Sequence, residues 1–194
     1  MLKRELFEKA YRMLEQLTPL KSDCGELCNR ACCDSEDEDA GMYLFPGEEF
    51  MYTEKPNWLR IEESAFTYGK EEKPAFIAIC TEPCERKLRP LACRIFPLTP
   101  YIGNNGVLTV KIDPRAIPMC PLAKPYAVKR LDKDFVLAVE DVFNMLAQDR
   151  EIYSFIFDLS RLIDEQESLL FRLTRRPRLQ RRNRDIRRRY LFKK

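Results

Sequence analysis

The sequence predicts an α+β fold: an irregular cysteine-rich core with a small β-hairpin, framed by an N-terminal helix and a C-terminal pair of helices. Three observations predict it. Apolar residues recur at helical spacing at both ends of the chain, all eight cysteines lie between positions 24 and 120, and eleven of the 13 prolines lie between Pro46 and Pro125. At 194 residues and 45% hydrophobic content, the chain can bury a core. We expect one domain over residues 1–174 and a basic segment over 175–194.

The first half of the chain contains three predicted elements. Residues 2–17 predict an amphipathic helix that Thr18-Pro19 ends, since a residue before proline avoids helical backbone angles. The apolar residues on one face of this helix are Leu6, Ala10, Met13, Leu14 and Leu17. Residues 46–50, Pro-Gly-Glu-Glu-Phe, predict a turn into a short helix with carboxylates at its positive end. Residues 76–79, Phe-Ile-Ala-Ile, predict a short buried strand.

The second half predicts a hairpin and two helices. Gly-Asn-Asn-Gly at 103–106 separates two apolar runs, and these residues supply the positive φ angles that hairpin turns need. Asp132 predicts the N-cap of a helix whose apolar face extends to Leu146. Apolar residues from Ile152 to Leu170 mark a second, longer helix. The regular period of both stripes favours core packing over a cofactor groove or a partner surface.

The charge is distributed unevenly along the chain. Residues 175–194 contain eleven basic residues and one acidic residue, a net charge of +10, which leaves the first 174 residues at −7. The basic segment could dock on the acidic body as a short helix with Leu179, Ile186 and Tyr190 on one face, or stay solvated. It could instead contact nucleic acid or another polyanion. We favour the first two, because no aromatic platform for stacking bases is interleaved there; a protein partner is left open.

The N-terminus does not match a secretory signal, because Lys3, Arg4 and Glu5 interrupt its apolar residues at once. No run approaches the roughly 18 apolar residues that indicate a membrane span. We therefore expect a cytoplasmic protein with no membrane contact. Cysteines in a reducing compartment more often bind metal or carry redox chemistry than form structural disulfides. A framework of disulfides is the alternative.

Eight cysteines and no histidine restrict the chemistry to sulfur and oxygen ligands. A histidine general base, a mixed Cys/His zinc finger and a Cys/His nucleophile pair are excluded. The spacing of the cysteines in two groups, with close pairs in each, is typical of thiolate metal sites. The predicted metal ligands are Cys24, Cys28, Cys32 and Cys33 in the first group and Cys80, Cys84, Cys93 and Cys120 in the second. An iron–sulfur cluster and Zn²⁺ are both open as the cofactor, and we expect at least six of the eight to bind.

The first group limits the geometry of such a site. On one straight helix, Cys24 and Cys32 would lie about 12 Å apart along the axis, whereas the sulfurs on one zinc lie within about 4 Å of each other. Either the segment is irregular, as Gly25 permits, or the metal unit is larger, as in an iron–sulfur cluster. Because adjacent side chains usually diverge, the Cys32-Cys33 pair favours a multinuclear centre or two centres.

Some residues of the second group have more than one interpretation. Cys80 ends an apolar run and could be a small buried hydrophobe, and the isolated Cys120 could be a free thiol. Arg89 and Arg94 flank Cys93. Their guanidinium groups could stabilise clustered thiolates and lower the thiolate pKa, or they could make ordinary salt bridges to the acidic body.

Four sequence features resemble a bacterial cysteine-cluster family, the CxxCxxCC or YkgJ-like family. They are the C-x3-C-x3-C-C pattern at 24–33, Gly-Glu-Glu at 47–49, Cys80 with Cys84, and Arg-Pro-Leu-Ala-Cys-Arg-Ile-Phe-Pro at 89–97. The resemblance covers roughly residues 20–125, with three-residue gaps where the family name implies two. It implies zinc or iron chelation. The domain also occurs in flagellin lysine N-methylases, but no phosphate loop or methyltransferase domain is evident here, so that activity is not carried over.

The leading prediction is therefore a metal-binding protein. One alternative is an iron–sulfur enzyme linked to redox or protein methylation chemistry, which would need an open coordination position, since a closed four-thiolate shell is structural or electron-transferring. A second is a zinc-stabilised nucleic-acid-binding module that uses residues 175–194. A third is a thiol–disulfide protein without metal. The sequence points to no catalytic residue, and whether the chain is an enzyme stays open.

Overall fold

The structure is a computed structural model, and it describes a large part of the chain. The described residues are 3–33, 41–54, 56–82, 84–124 and 130–174, without the side chains at 170, 171, 173 and 174. The chain separates into two compact units, Met1–Ile163 and Asp164–Lys194. The basic segment 175–194, with its suggested docked helix, lies outside the described residues, so its interpretation and the boundary after residue 174 stay predictions.

The α+β prediction is confirmed, with an N-terminal helix and two C-terminal helices around small antiparallel sheets. The helices of the described part are α1 (Lys3–Met13), α2 (Leu91–Ile95), α3 (Lys133–Leu146) and α4 (Arg150–Thr174). The strands are β1 (Met42–Tyr43), β2 (Leu59–Tyr68), β3 (Lys73–Cys80), β4 (Leu98–Ile102) and β5 (Leu108–Ile112). One sheet has the order β1-β3-β2, and the other is the β4-β5 hairpin. None of the described helices combines the length and the apolar character needed to cross a membrane.

Side-chain caps begin the two long C-terminal helices. Asp132 accepts hydrogen bonds from the backbone N–H groups of Asp134 and Phe135, at 2.9 and 3.2 Å, as the sequence predicts for α3. Asp149 accepts in the same way from the first backbone N–H groups of α4. The opening helix is shorter than predicted and ends at Met13. Beyond it, the Leu17 N–H donates to the Leu14 carbonyl in a tighter turn. The apolar pattern therefore continues past the last residue of the α-helix.

The helices bury one large apolar cluster. Its fully buried aromatic side chains are Phe7 on α1, Phe135 and Phe143 on α3, and Phe155 on α4. Burial of such a side chain stabilises the fold by about 1.5–3 kcal/mol. The core packing predicted for both C-terminal stripes is confirmed as far as Ile163, whereas Leu169 is exposed.

The sheets contain the predicted hairpin, one predicted strand, and two strands, β1 and β2, that the sequence does not predict. The hairpin forms where expected, and Gly106 adopts the left-handed φ of +75° that its turn requires. The predicted strand at 76–79 forms the end of β3. Its partner β2 was not predicted, because a bulge between Glu63 and Thr67 interrupts its apolar alternation and only its two end residues are buried.

Candidate metal centre

One cavity of about 80 Å³ gathers cysteines that lie far apart in the sequence. Six of the eight line its wall: Cys24, Cys28, Cys32, Cys33, Cys93 and Cys120. All eight are free thiols, and the other two, Cys80 and Cys84, lie at and just after the end of β3. The fold thus brings members of both predicted groups together, Cys120 included.

The first cysteine segment is irregular, as Gly25 allows. A single turn of 3₁₀ helix covers Cys24–Leu27, and the Gly25 carbonyl accepts from the backbone N–H groups of both Cys28 and Arg30. Asn29 and Arg30 then take left-handed φ angles of +50° and +58°, which end any helix and turn the chain. The straight helix that would separate Cys24 from Cys32 is therefore not formed.

The adjacent thiols of Cys32 and Cys33 converge. Their sulfur atoms lie 3.9 Å apart, so the expectation that these two side chains diverge is wrong. The turn that ends at this pair explains the convergence, since the Cys33 N–H donates to the Arg30 carbonyl at 2.7 Å and closes the backbone tightly. Such a separation equals that of two sulfurs on one tetrahedral zinc, within about 4 Å.

Cys84 is the centre of a second group of thiols. Its sulfur accepts a hydrogen bond from the Arg89 Nε–H at 3.1 Å. Interaction with the Cys33 and Cys80 thiols first, and then with the Arg89 guanidinium, holds the pKa of Cys84 well below its usual range, so it carries thiolate character. Cys80 is exposed, so its interpretation as a buried hydrophobe is wrong.

Other thiols of the site are shifted in the opposite direction. Burial, followed by the negative charge of neighbouring Cys32, raises the pKa of Cys24 to about 11. Burial also raises the pKa of Cys93, on α2, to about 12. Cys32 differs, because its hydrogen bond with Cys33 lowers its pKa to about 6. Negative charge is therefore concentrated on a few sulfurs, which limits the repulsion among closely spaced thiols.

The two arginines that flank Cys93 have different roles. Arg89 donates a hydrogen bond to the sulfur of Cys84, although Cys93 is nearer to it in sequence. Arg94 donates to the Arg89 carbonyl at 2.8 Å, and its guanidinium carbon lies 4.3 Å from the centre of the Tyr11 ring. The arginine pair therefore stabilises both the charge and the backbone of this segment.

A buried carboxylate fastens the Cys93 segment to the rest of the fold. Glu48, fully buried, accepts from the backbone N–H groups of Leu91 at 2.6 Å and Phe45 at 3.0 Å, and from the Tyr11 hydroxyl at 2.6 Å. Leu91 begins α2, which carries Cys93. The sequence correctly predicts that Glu48 begins a short helix, Glu48–Tyr52. The neighbouring residues in the sequence do not indicate that Glu48 is buried or which distant residues it contacts.

Two tyrosine hydroxyls extend the contacts of the buried Glu48. A chain of contacts links Glu48 to Tyr11, Tyr11 to Tyr52 at 3.0 Å, and Tyr52 to the Leu88 carbonyl at 3.1 Å. Because the Tyr11 hydroxyl donates to Glu48, the Tyr52 hydroxyl can donate either to Tyr11 or to the Leu88 carbonyl. Burial raises the pKa of Glu48 to about 7, which favours its neutral form relative to that of an exposed carboxyl group.

The thiols do not form a ready-made coordination shell. Within the described ranges, no three Cys, Asp or Glu side chains converge closely enough to hold a metal ion. The Cys32 and Cys33 sulfurs have a suitable separation, and the remaining thiols would have to draw closer. The donor set itself fits a thiolate-bound metal, since cysteine sulfur suits both zinc and iron–sulfur clusters.

Comparison of the chain with protein-family models, with curated proteins and with solved structures finds no match. The resemblance to the cysteine-cluster family therefore remains a prediction carried by the motif residues alone.

Proposed function

We propose that this chain is a metal-binding protein whose cysteine thiolates hold an iron–sulfur cluster or zinc. The observation that supports it most is the cavity on which six of the eight cysteines, from positions 24 to 120, converge. Cysteine is a common buried residue, but a packing role alone does not require so many thiols in the wall of one cavity. A bound iron–sulfur cluster would supply electron transfer, and zinc would supply a structural cross-link.

The surrounding charges support thiolate ligands. Arg30, Arg86, Arg89 and Arg94 line the cavity together with two carboxylates, Glu15 and Asp23, so guanidinium groups are in excess. An excess of fixed positive charge favours deprotonated thiols, which are the form that binds metal. We also propose a cytoplasmic location, because reduced thiols are maintained there.

Anaerobic purification followed by measurement of iron, zinc and sulfide per chain tests the proposal. A brown protein that contains sulfide is expected for an iron–sulfur cluster, and a colourless protein that contains zinc is expected for a structural site. A metal-free chain with eight titratable thiols would contradict the proposal. Cys28→Ser and Cys93→Ser should each lower the metal content, whereas Thr109→Ser, at an exposed position of β5, should leave it unchanged.

Each of two alternative functions depends on a different feature and has its own test. A nucleic-acid-binding module would use residues 175–194, and its affinity would fall steeply with salt. An iron–sulfur enzyme would need a coordination position open to substrate, which a spectroscopic change on substrate binding would report.

A further inference from the structure

Cys32 and Cys33 form a pair of adjacent thiols at the surface. Their sulfur atoms lie 3.9 Å apart, and both residues are exposed and carry free thiols. A disulfide bond is about 2.0 Å long, so the two sulfurs need to approach each other by roughly 2 Å. Because the residues are neighbours in the chain, a local adjustment supplies this movement, and no distant segment has to be displaced. The pair is therefore positioned for oxidation to a disulfide.

The backbone before the pair holds the two thiols in this arrangement. Asn29 and Arg30 adopt left-handed φ angles of +50° and +58°, which are unfavourable for a residue such as arginine. The Ala31 N–H donates to the Cys28 carbonyl at 3.1 Å, within the same segment. The Cys33 N–H then donates to the Arg30 carbonyl at 2.7 Å and closes a second turn. The convergence of the two sulfurs is therefore a property of the folded segment.

A disulfide between adjacent residues is strained. Consecutive Cα atoms are about 3.8 Å apart, whereas the Cα atoms that an ordinary disulfide joins are usually about 4.4–6.8 Å apart. Such strain makes a disulfide easier to reduce, and strained or exposed disulfides are typically the labile and regulatory ones. A bond between these two sulfurs would therefore open again in a reducing solution, unlike a structural disulfide.

We infer that the Cys32-Cys33 pair is a reversible oxidation site of the metal-free chain, with hydrogen peroxide as the oxidant. One sulfur attacks a peroxide oxygen, the O–O bond breaks, and a sulfenic acid forms as one molecule of water leaves. The second sulfur then attacks the sulfenic sulfur, the S–S bond forms, and a second molecule of water leaves. In total, the two thiols give up two hydrogens and two electrons, which reduce one hydrogen peroxide to two molecules of water.

The disulfide also affects the proposed function. Both sulfurs are predicted metal ligands, and a sulfur in a disulfide is no longer a thiolate that binds metal. Oxidation would therefore lower the metal affinity of the chain, and reduction would restore it. This second part of the inference rests on the proposed function, whereas the disulfide itself needs no metal.

Treatment of the reduced, metal-free full chain with one molecule of hydrogen peroxide per chain tests the oxidation. Trypsin cleaves after Arg30 and releases a peptide that begins at Ala31 and contains only Cys32 and Cys33 as cysteines. This peptide should become lighter by two hydrogens and resist alkylation, and the chain should lose two of its eight free thiols. Reduced glutathione should restore all eight.

Three further samples show whether the fold and this pair are responsible. Cys33→Ser should form no disulfide under the same conditions, because it removes one sulfur of the pair. Cys120→Ser, at another cysteine of the cavity wall, is the matched control and should form the disulfide as the wild type does. The wild-type chain unfolded in urea should form it more slowly, because the turns that hold the two thiols are lost. Far-UV circular dichroism checks that both variants are folded.

Several results would overturn the oxidation site. They are a pair that stays reduced, a disulfide that links the Ala31 peptide to another peptide, and an unfolded chain that forms the bond as fast as the folded chain. A disulfide that reduced glutathione fails to open would overturn its reversibility.

Zinc binding by the reduced and the oxidised chain tests the second part. The oxidised chain should bind zinc at least about tenfold more weakly, because two predicted ligands are withdrawn. Equal affinities would overturn the effect on metal binding and keep the oxidation site. A reduced chain that binds neither zinc nor iron would overturn the proposed function itself, and the disulfide would still be tested by the peptide masses.

Discussion

The helical core and the cysteine region of this chain are held together by different interactions. In the helical core, formed by α1, α3 and α4 as far as Ile163, side chains such as Phe7 and Phe143 are completely buried. The cysteine region comprises the segments around the eight cysteines. Three of these cysteines, Cys32, Cys33 and Cys80, are exposed, and the other five are only half-buried. The core therefore obtains its stability from apolar burial, whereas the cysteine region depends more on hydrogen bonds.

This difference shows how one small chain can combine a rigid frame with an adaptable site. The buried network of Glu48, Tyr11 and Tyr52 joins the two regions, because it connects α1 to the start of α2. Such a frame fixes the backbone near the thiols without fixing every sulfur. Under the proposed function, the thiols would draw together around a metal while the core stays unchanged.

The largest expected effect is a cavity in the helical core. Phe143→Ala should reduce the free energy of unfolding by about 3–5 kcal/mol, because it removes a fully buried aromatic ring. Urea denaturation of the metal-free chain measures it. The exposed Cys33→Ser should cost less than about 1 kcal/mol under the same conditions. Equal costs for the two changes would remove the distinction between the regions.

The second prediction concerns the network that joins the regions. Because the folded-state pKa of Glu48 is raised from 4.5 to about 7, its neutral form is favoured by folding. Its contribution to stability should be complete below pH 4.5 and should be lost as the pH rises through 7, by at most about 3 kcal/mol. The charged and titratable groups that face Glu48 are Tyr11, Tyr52, Arg94 and Cys93.

Denaturation between pH 4.5 and 7.5 tests this dependence at constant salt and without metal. Glu48→Gln should flatten the fall in stability over that range, since glutamine does not titrate. Glu49→Gln, at the next position, is the matched control and should retain the fall. A Glu48→Gln profile as steep as that of the wild type would show that another group is responsible.

A smaller effect is expected within the cysteine region. Arg89→Gln should raise the pKa of Cys84, because it removes a donor 3.1 Å from the sulfur and a positive charge. The pH at which alkylation of Cys84 reaches half of its maximal rate should then move to a higher value, because that pH follows the pKa of the thiol. Mass spectrometry of the Cys84 peptide from the metal-free chain measures the rate. Arg86→Gln, in the same cavity wall, is the control, and an equal effect of both changes would contradict a specific contact.

The smallest effect is expected on the exposed face of the helical core. Arg4→Ala removes an ion pair with Glu8 one turn along α1, in which both side chains are more than two fifths exposed. The free energy of unfolding should change by less than about 0.5 kcal/mol, because solvent screens such pairs. Urea denaturation at low and high salt checks it. A cost comparable to that of Phe143→Ala would mean that the core is not stabilised chiefly by burial.

The sequence was sufficient for the features that local patterns determine. The C-terminal helices, the cap at Asp132 and the hairpin turn ending at Gly106 follow from side-chain period, hydrogen-bonding capacity and backbone freedom over a few residues. The absence of histidine likewise limits the ligands without any structure. Strand β2 was missed because its bulge interrupts the period and only its two end residues are buried.

Only the tertiary structure decided which distant residues meet. The sequence places Arg89 beside Cys93, but the fold directs it to Cys84, and the turn at Asn29 brings together sulfurs that a straight helix would separate. The burial of Glu48 is likewise invisible in a segment with two adjacent carboxylates. Local periodicity reports the face that each element buries, whereas neighbours across the fold depend on how all elements pack at once. The sequence by itself thus determined that sulfur and oxygen, and no imidazole nitrogen, are the side-chain atoms available as metal ligands, and the tertiary structure decided which cysteines lie together.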